Sequence, residues 1–302
     1  MDVLISGASG LIGTALARTL VSNGHRVVRL RRGGATNEND VGWDPDEGLI
    51  DAPALEGIDA AVHLAGEGIG DKRWSDEQKQ RILESRTRGT ELLVNALASR
   101  ERKPRVLVSA SAIGYYGDRG DEVLVETSEP GSDFLADVCK QWEAASVPAQ
   151  DAGIRTVNVR TGIVLAREGG ALARMLTPFR LGIGGRIGSG TQYMSWVSID
   201  DEVGAIMHAL ENDNVRGPMN ATGPNPVTNR EFTATLGHVL HRPTVLPTPL
   251  APLRLLYGPE LVSSLLLFSQ RVEPSVLRAT GYEFRHPSLE AALRAVLDRP
   301  NA

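Results

Sequence analysis

The sequence predicts an α/β fold: a doubly wound parallel sheet followed by a smaller C-terminal α/β substrate-binding lobe. Three observations carry this. Short apolar runs alternate with amphipathic segments through the first half of the chain, a glycine cluster closes the first apolar run, and the texture changes after about residue 165. Strands are expected at 2–6, 26–30, 60–64, 105–109 and 156–160, with helices at 11–22, 76–99 and 134–151. The first strand rests on Val3-Leu4-Ile5, and the helix after it on Leu11, Ile12, Ala15, Leu16 and Leu20. Ser75-Asp76-Glu77-Gln78 has the S-x-x-Q form of a capping box and starts the long middle helix. Beyond residue 165, glycines crowd 169–190 as a candidate binding-site wall. Trp196–Asp201 returns to strand and helix start, and prolines punctuate the last third before a helix near 288–297. The division expected is 1–165 for the first domain, rejoined by elements at about 195–212, and 166–302 mainly for the C-terminal lobe, which covers the cleft.

Ser6-Gly7-Ala8-Ser9-Gly10-Leu11-Ile12-Gly13 joins the first strand to the first helix. Glycines at this spacing permit a tight turn, let backbone approach a pyrophosphate and let helix pack on sheet. The helix N-terminus offers free N–H groups and a partial positive charge to phosphate. Gly7, Gly10, Leu11, Ile12 and Gly13 are therefore candidate contacts for a dinucleotide. A chain that prefers NAD places Asp or Glu at the end of the second strand, to accept from the ribose 2′-hydroxyl. Here Arg31-Arg32-Gly33-Gly34 stand there and no carboxylate comes before Glu38. Two guanidiniums attract a 2′-phosphate that a carboxylate would repel, so the expected cofactor is NADP(H). In such sheets ligands lie outside the carboxyl ends of the strands, which adds Leu64, Ala65, Gly66, Ser109 and Arg160 to the candidates.

Composition excludes other classes. A net charge of −5 argues against a nucleic-acid partner, which would want a clearly basic face. No apolar run approaches the length of a membrane span, no secretory signal opens the chain, and neither a membrane nor a nucleic-acid partner is expected. The single cysteine, Cys139, fits a reducing compartment and reads as a buried small hydrophobe, and the default location is the cytoplasm. The six histidines show no metal-ligand spacing.

Several stretches carry a resemblance that runs essentially end to end. They are Ala65-Gly66-Glu67, Lys72-Arg73-Trp74, Ser85-Arg86, Gly114-Tyr115-Tyr116-Gly117, Asp133-Phe134-Leu135-Ala136, Cys139-Lys140-Gln141-Trp142-Glu143 and Arg160–Leu165, with Pro178–Gly182 and Asn220-Ala221-Thr222. Together with the glycine loop, Asp59–Gly66 and Trp196–Asp201, they resemble the extended short-chain dehydrogenase/reductases. Within these they resemble the atypical, NAD-dependent-epimerase-like branch whose members carry a C-terminal domain of unknown function. The resemblance implies a Rossmann-type fold, NADP(H) binding and no particular substrate. It places Arg86, and less directly Arg81, near the cofactor, and it allows a homodimer through the two long helices.

The resemblance also identifies an absence. These enzymes use a Ser with a Tyr and a Lys in Tyr-x-x-x-Lys. Ser111 and Lys140 match the Ser and the Lys, Lys140 also as a ribose ligand, but Ala136 stands where the Tyr belongs. A proton donor for a developing alkoxide must then come from elsewhere, and Tyr115 and Tyr116 are the nearest phenols in sequence. Two functions follow: an NADP(H)-dependent oxidoreductase or epimerase acting on a small sugar-like or carbonyl substrate, and a non-catalytic NADPH sensor.

Overall fold

Val3, Leu4 and Ile5 are all buried because the first strand is covered on both faces, the condition that gives a parallel strand a continuous apolar run. The structure is a computed structural model and describes residues 1–298. Its main sheet contains β1 (Asp2–Ser6), β2 (Arg26–Arg32), β3 (Asp40–Asp44), β4 (Leu49–Ile50), β5 (Ala60–His63), β6 (Val106–Ala112), β7 (Arg155–Thr161) and β8 (Gly217–Ala221). The spatial order is β8-β7-β6-β5-β1-β2-β3-β4, parallel throughout except for the β3–β4 pair. From β1 the chain winds outward through β4, then returns to the other side of β1 as β5. The crevice between β1 and β5 is therefore the switch point at which ligands bind in such sheets.

The helices are α1 (Leu11–Ser22), α2 (Asp76–Ala98), α3 (Phe134–Ala145), α4 (Gly170–Arg180), α5 (Ile199–Glu211), α6 (Asn229–Leu240), α7 (Leu250–Tyr257) and α8 (Leu289–Val296). Side chains alternate across each strand. Val3 and Ile5 thus join Leu16 and Leu20 of α1 and Val203, Ile206 and Leu210 of α5, while Leu4 joins Leu93, Val94 and Leu97 of α2 on the opposite face. Each such burial contributes roughly 1.5–3 kcal/mol.

Three local outcomes depart from the sequence reading. The expected helix 134–151 breaks at Ser146, and a separate turn Val147–Asp151 follows. Pro148 lacks the N–H the helix would need there, and its ring crowds the carbonyl of the preceding turn. The capping box at Ser75 is half made: its Oγ accepts from the Gln78 N–H at 3.2 Å, but the Gln78 amide turns to Glu67 instead. The short strands β3 and β4 were not anticipated, nor was the return of Gly217–Ala221 to the main sheet as β8.

The C-terminal lobe has its own core, with Leu172, Leu176 and Phe179 of α4, Trp196, Phe232 and Leu236 of α6, and Leu289 and Leu293 of α8. Asp201 ties its tail to the sheet. Buried at the start of α5, this carboxylate accepts from the Ser198 hydroxyl, the Tyr282 hydroxyl and the backbone N–H groups of Arg285 and His286. Elements after residue 165 also reach the first half of the chain: Gly169 lies against Leu11, Arg174 against Gly70 and Asp71, and Glu260 pairs with Lys79 at 2.6 Å. Among the described residues no helix is long and apolar enough to cross a membrane.

Candidate cofactor and substrate cleft

The glycine loop is built by contacts that forbid side chains. Gly7 has φ +69° and packs against the backbone of Leu64 and Ala65 so closely that a Cβ would lie 2.9 Å from the Leu64 carbonyl carbon. A Cβ on Gly13 would strike the Gly7 carbonyl oxygen and the Ala8 Cα. The Gly10 N–H donates to that same Gly7 carbonyl at 3.0 Å and closes the turn. Helix α1 then starts at Gly10 with no side chain capping it and no acidic residue in its first turn. Its N-terminal donors and the positive end of its dipole are left for an anion.

Two residues that the sequence reading passed over hold this loop in place. The Ser6 Oγ accepts from the N–H groups of Leu64 and Ala65 at 3.1 and 3.2 Å and lies 2.6 Å from the His63 Nδ1. With both acceptor positions used, the hydroxyl donates to Nδ1, so His63 carries its proton on Nε2. Burial pulls the imidazole down to about 4 and keeps it neutral. This clamp brings Leu64 and Ala65 beside Gly7.

Arg31 and Arg32 stand half-exposed at the end of β2, followed by Gly33 and Gly34 at φ +79° and +97°. They are not free of counter-charge. An Nη of Arg31 lies 2.9 Å from the Thr36 hydroxyl and 3.3 Å from the Asp40 carboxylate, and Arg32 lies 3.7 Å from Asp46. The Thr36 hydroxyl bond holds Asp40 below the usual carboxylate range. Asp40 sits on the neighbouring strand, and only the β2–β3 register brings it alongside.

At the other end of the cleft the polar groups bond one another. The Ser111 hydroxyl donates to Glu143 at 2.7 Å. Glu143 receives the Arg160 guanidinium through two bonds, Nε at 2.8 Å and Nη2 at 2.9 Å. The Nη1 of Arg160 donates to the Tyr116 hydroxyl at 3.0 Å and to the Glu126 carbonyl at 3.1 Å, and the Tyr116 hydroxyl donates to Asn220 at 2.7 Å. Burial alone would lower the guanidinium of Arg160; the Glu143 carboxylate outweighs it and holds the group firmly cationic.

This network occupies the polar groups of two candidate residues, a third candidate lies outside it, and one phenol is left over. Arg160 is buried with four N–H donors used inside the protein, so it braces the strand ends instead of holding a cofactor. Tyr116 is fully buried; burial, opposed by Arg160, pushes its phenol up to about 12, and both its partners are structural, so it is no proton donor. Arg81 pairs with Glu77 four residues earlier on an exposed face of α2, as a solvated helix pair. Tyr115 is different. Its ring lies 3.4 Å from the Arg160 guanidinium carbon and edge-on to Tyr116, it is partly exposed, and its hydroxyl makes no hydrogen bond among the described residues.

Lys140 is half-exposed and pairs with Asp137 at 3.4 Å, with neither Ser111 nor a tyrosine in bonding reach. Arg86 is drawn into the cleft wall: its guanidinium donates to the Glu67 and Ile82 carbonyls at 3.0 Å, lies over the Trp142 ring and abuts Gly66. Ser109 is buried with its hydroxyl unpaired, and Cys139 is a buried thiol pushed up to about 12 by burial and by Glu143. Ala136 is fully buried. A further buried acid, Glu202 on α5, accepts from the Thr161 hydroxyl at 2.8 Å through one oxygen and has no partner on the other. Burial pushes it up to about 8.

Comparison with known proteins places this arrangement in a family. Residues 3–221 match the NAD dependent epimerase/dehydratase family, and residues 248–296 match a domain of unknown function, DUF1731. The chain belongs to the NAD dependent epimerase/dehydratase family. It is 43% identical over 299 residues to an epimerase family protein of Mycobacterium leprae, covering 99% of this chain and 96% of that one. It is 38% identical over 300 residues to the human epimerase family protein SDR39U1, covering 98% of this chain and all of the human one. The crystal structure of the human protein (isoform 2) with NADPH superposes with a TM-score of 0.90 at 37% identity, over 99% of each chain. A nucleoside-diphosphate sugar epimerase from Corynebacterium glutamicum superposes with a TM-score of 0.81 at 37% identity, over 98% of this chain and 58% of the other.

Proposed function

We propose that this family member binds NADP(H) and acts as an oxidoreductase or epimerase on a small hydroxyl- or carbonyl-bearing, sugar-like substrate. The observation that carries the reading is the pairing of an uncapped glycine loop with two half-exposed guanidiniums at the end of β2. The human relative crystallised with NADPH supports it. The open N–H groups of α1 receive the pyrophosphate, and Arg31 and Arg32 receive the 2′-phosphate. Arg86, at Gly66, forms the wall between the two ends of the cleft.

When bound, the nicotinamide supplies the hydride chemistry. Ser111 commits its proton to Glu143 and so meets any substrate oxygen as an acceptor. It therefore positions a substrate hydroxyl. Tyr115, with its hydroxyl unspent beside Arg160, is the proton-exchanging group in this reading. The test is NADP(H) turnover with a panel of sugars and small carbonyls, comparing wild type with Ser111→Ala and Tyr115→Phe. The reading expects turnover that both substitutions depress, by about 100-fold for a lost acid–base group.

The sensor reading keeps one specific observation in its favour. Ala136 removes the usual phenol, and Lys140 is paired with Asp137 outside hydrogen-bond reach of Ser111. NADPH binding without turnover on any substrate would favour it.

A further inference from the structure

Among the described residues ten large apolar side chains are exposed, and six of them fall in two stretches of the chain, 181–183 and 245–256: Leu181, Ile183, Val245, Leu246, Leu255 and Leu256, each between 59% and 86% exposed. Isolated exposed leucines are ordinary; a concentration of this kind is not. The first two strips are locked together. The Arg242 Nε donates to the Arg180 carbonyl at 2.8 Å, the Thr248 hydroxyl donates to the Gly185 carbonyl at 2.9 Å, and Ile187 bridges to Thr248. Gly185 packs so tightly on the Leu246 carbonyl that no side chain fits between them. Leu255 and Leu256 follow on α7, a helix about 12 Å long with no buried residue at all. The packing that normally pins a short helix is missing from it.

Charge distinguishes the occupants. The chain carries a net −5, yet residues 169–199 and 232–259 contain no Asp or Glu. Arg180, Arg242 and Arg254 are exposed in or beside these same stretches, with no carboxylate partner among the described residues. A second copy docking through the same face would bring the same three guanidiniums against one another, which opposes a two-fold contact. Protruding aliphatic side chains flanked by arginines match instead a negatively charged lipid surface, where the apolar tips enter the headgroup boundary and the cations meet phosphate.

We propose that this face of the C-terminal lobe docks on an anionic bilayer surface, peripherally and without spanning it. The notion departs from the expectation of no membrane partner because composition averages over the chain, and the basic, apolar face is hidden within an acidic total.

The test is co-sedimentation of the full chain with vesicles of phosphatidylcholine alone and of phosphatidylcholine with phosphatidylserine, at low and high salt. The wild type is expected to partition onto the anionic vesicles, less at high salt as the charges are screened. Leu255→Ser/Leu256→Ser should lower that partition by roughly tenfold or more, and Arg180→Glu/Arg254→Glu should remove the preference for phosphatidylserine. Val21→Ser, an exposed apolar position on α1, should change nothing. Absence of wild-type partition at any composition overturns the proposal, as does undiminished binding by the leucine pair variant. A dimer seen by sedimentation velocity that the leucine substitutions break, without vesicle binding, would overturn it in favour of a self-interface.

Discussion

At the phosphate end the chain leaves donors open: α1 begins uncapped, and the half-exposed guanidiniums of Arg31 and Arg32 lie 3.3 and 3.7 Å from the carboxylates of Asp40 and Asp46. At the substrate end Ser111, Glu143, Arg160, Tyr116 and Asn220 close on one another in a buried chain of bonds, all but one below 3.0 Å. The first end is prepared for a charge that arrives with the ligand. The second has neutralised its own charges in advance and leaves one phenol, Tyr115, without a hydrogen bond among the described residues. Under the proposed function binding and chemistry separate along these two ends, and substitutions should separate them too.

The largest expected effect lies in the buried ion pair. Glu143→Ala strands the Arg160 guanidinium and should cost about 3–5 kcal/mol of stability by denaturant unfolding. Arg32→Ala, at the exposed pair with Asp46, should cost under about 1 kcal/mol. Equal losses would erase the contrast between the two ends.

Next comes the pH dependence. Glu202 ionises near 4.5 in the unfolded chain and at about 8 when folded. Its stability contribution is complete below 4.5 and is lost as pH rises toward 8, about 3 kcal/mol by pH 7. His63 runs the other way. Its folded value of about 4 lies below 6.5, so stability is lost as pH falls from 6.5 toward 4. Between 4.5 and 6.5 the two offset, and wild-type stability should be nearly level there and fall on both sides. Glu202→Gln should abolish the alkaline fall, read as melting temperature against pH; a fall that survives the substitution assigns it to another group.

A smaller effect is expected at Gly13→Ala, where the methyl group meets the Gly7 carbonyl. Overpacking of about 1–3 kcal/mol should accompany loss of NADPH binding measured by calorimetry. Retained binding would mean that the loop can open without consequence for its ligand.

The legible parts were those written in local spacing. The glycine loop, the order of alternating strands and helices, and the cap at Ser75 each depend on residues within one or two turns. The substrate end was not legible, because its partners are far apart in the chain: 32 residues separate Ser111 from Glu143, 44 separate Tyr116 from Arg160 and 104 separate Tyr116 from Asn220. Only the placement of β6, β7 and β8 side by side assembles them. Arg81 and Arg86 show the same limit on a smaller scale. Five residues apart on one helix, they point about 140° from each other, one to solvent and one into the cleft wall. The exposure of the leucines on α7 was not legible for a different reason: nothing in their spacing says that no partner covers them.

The most direct test of the account is the affinity for NADPH and for NADH of the wild type and of Arg31→Ala/Arg32→Ala, by calorimetry. The account predicts a wild-type preference for NADPH that falls by about tenfold or more in the double variant, with NADH affinity little changed. Equal affinities in the wild type, or a preference that survives the substitution, would contradict it.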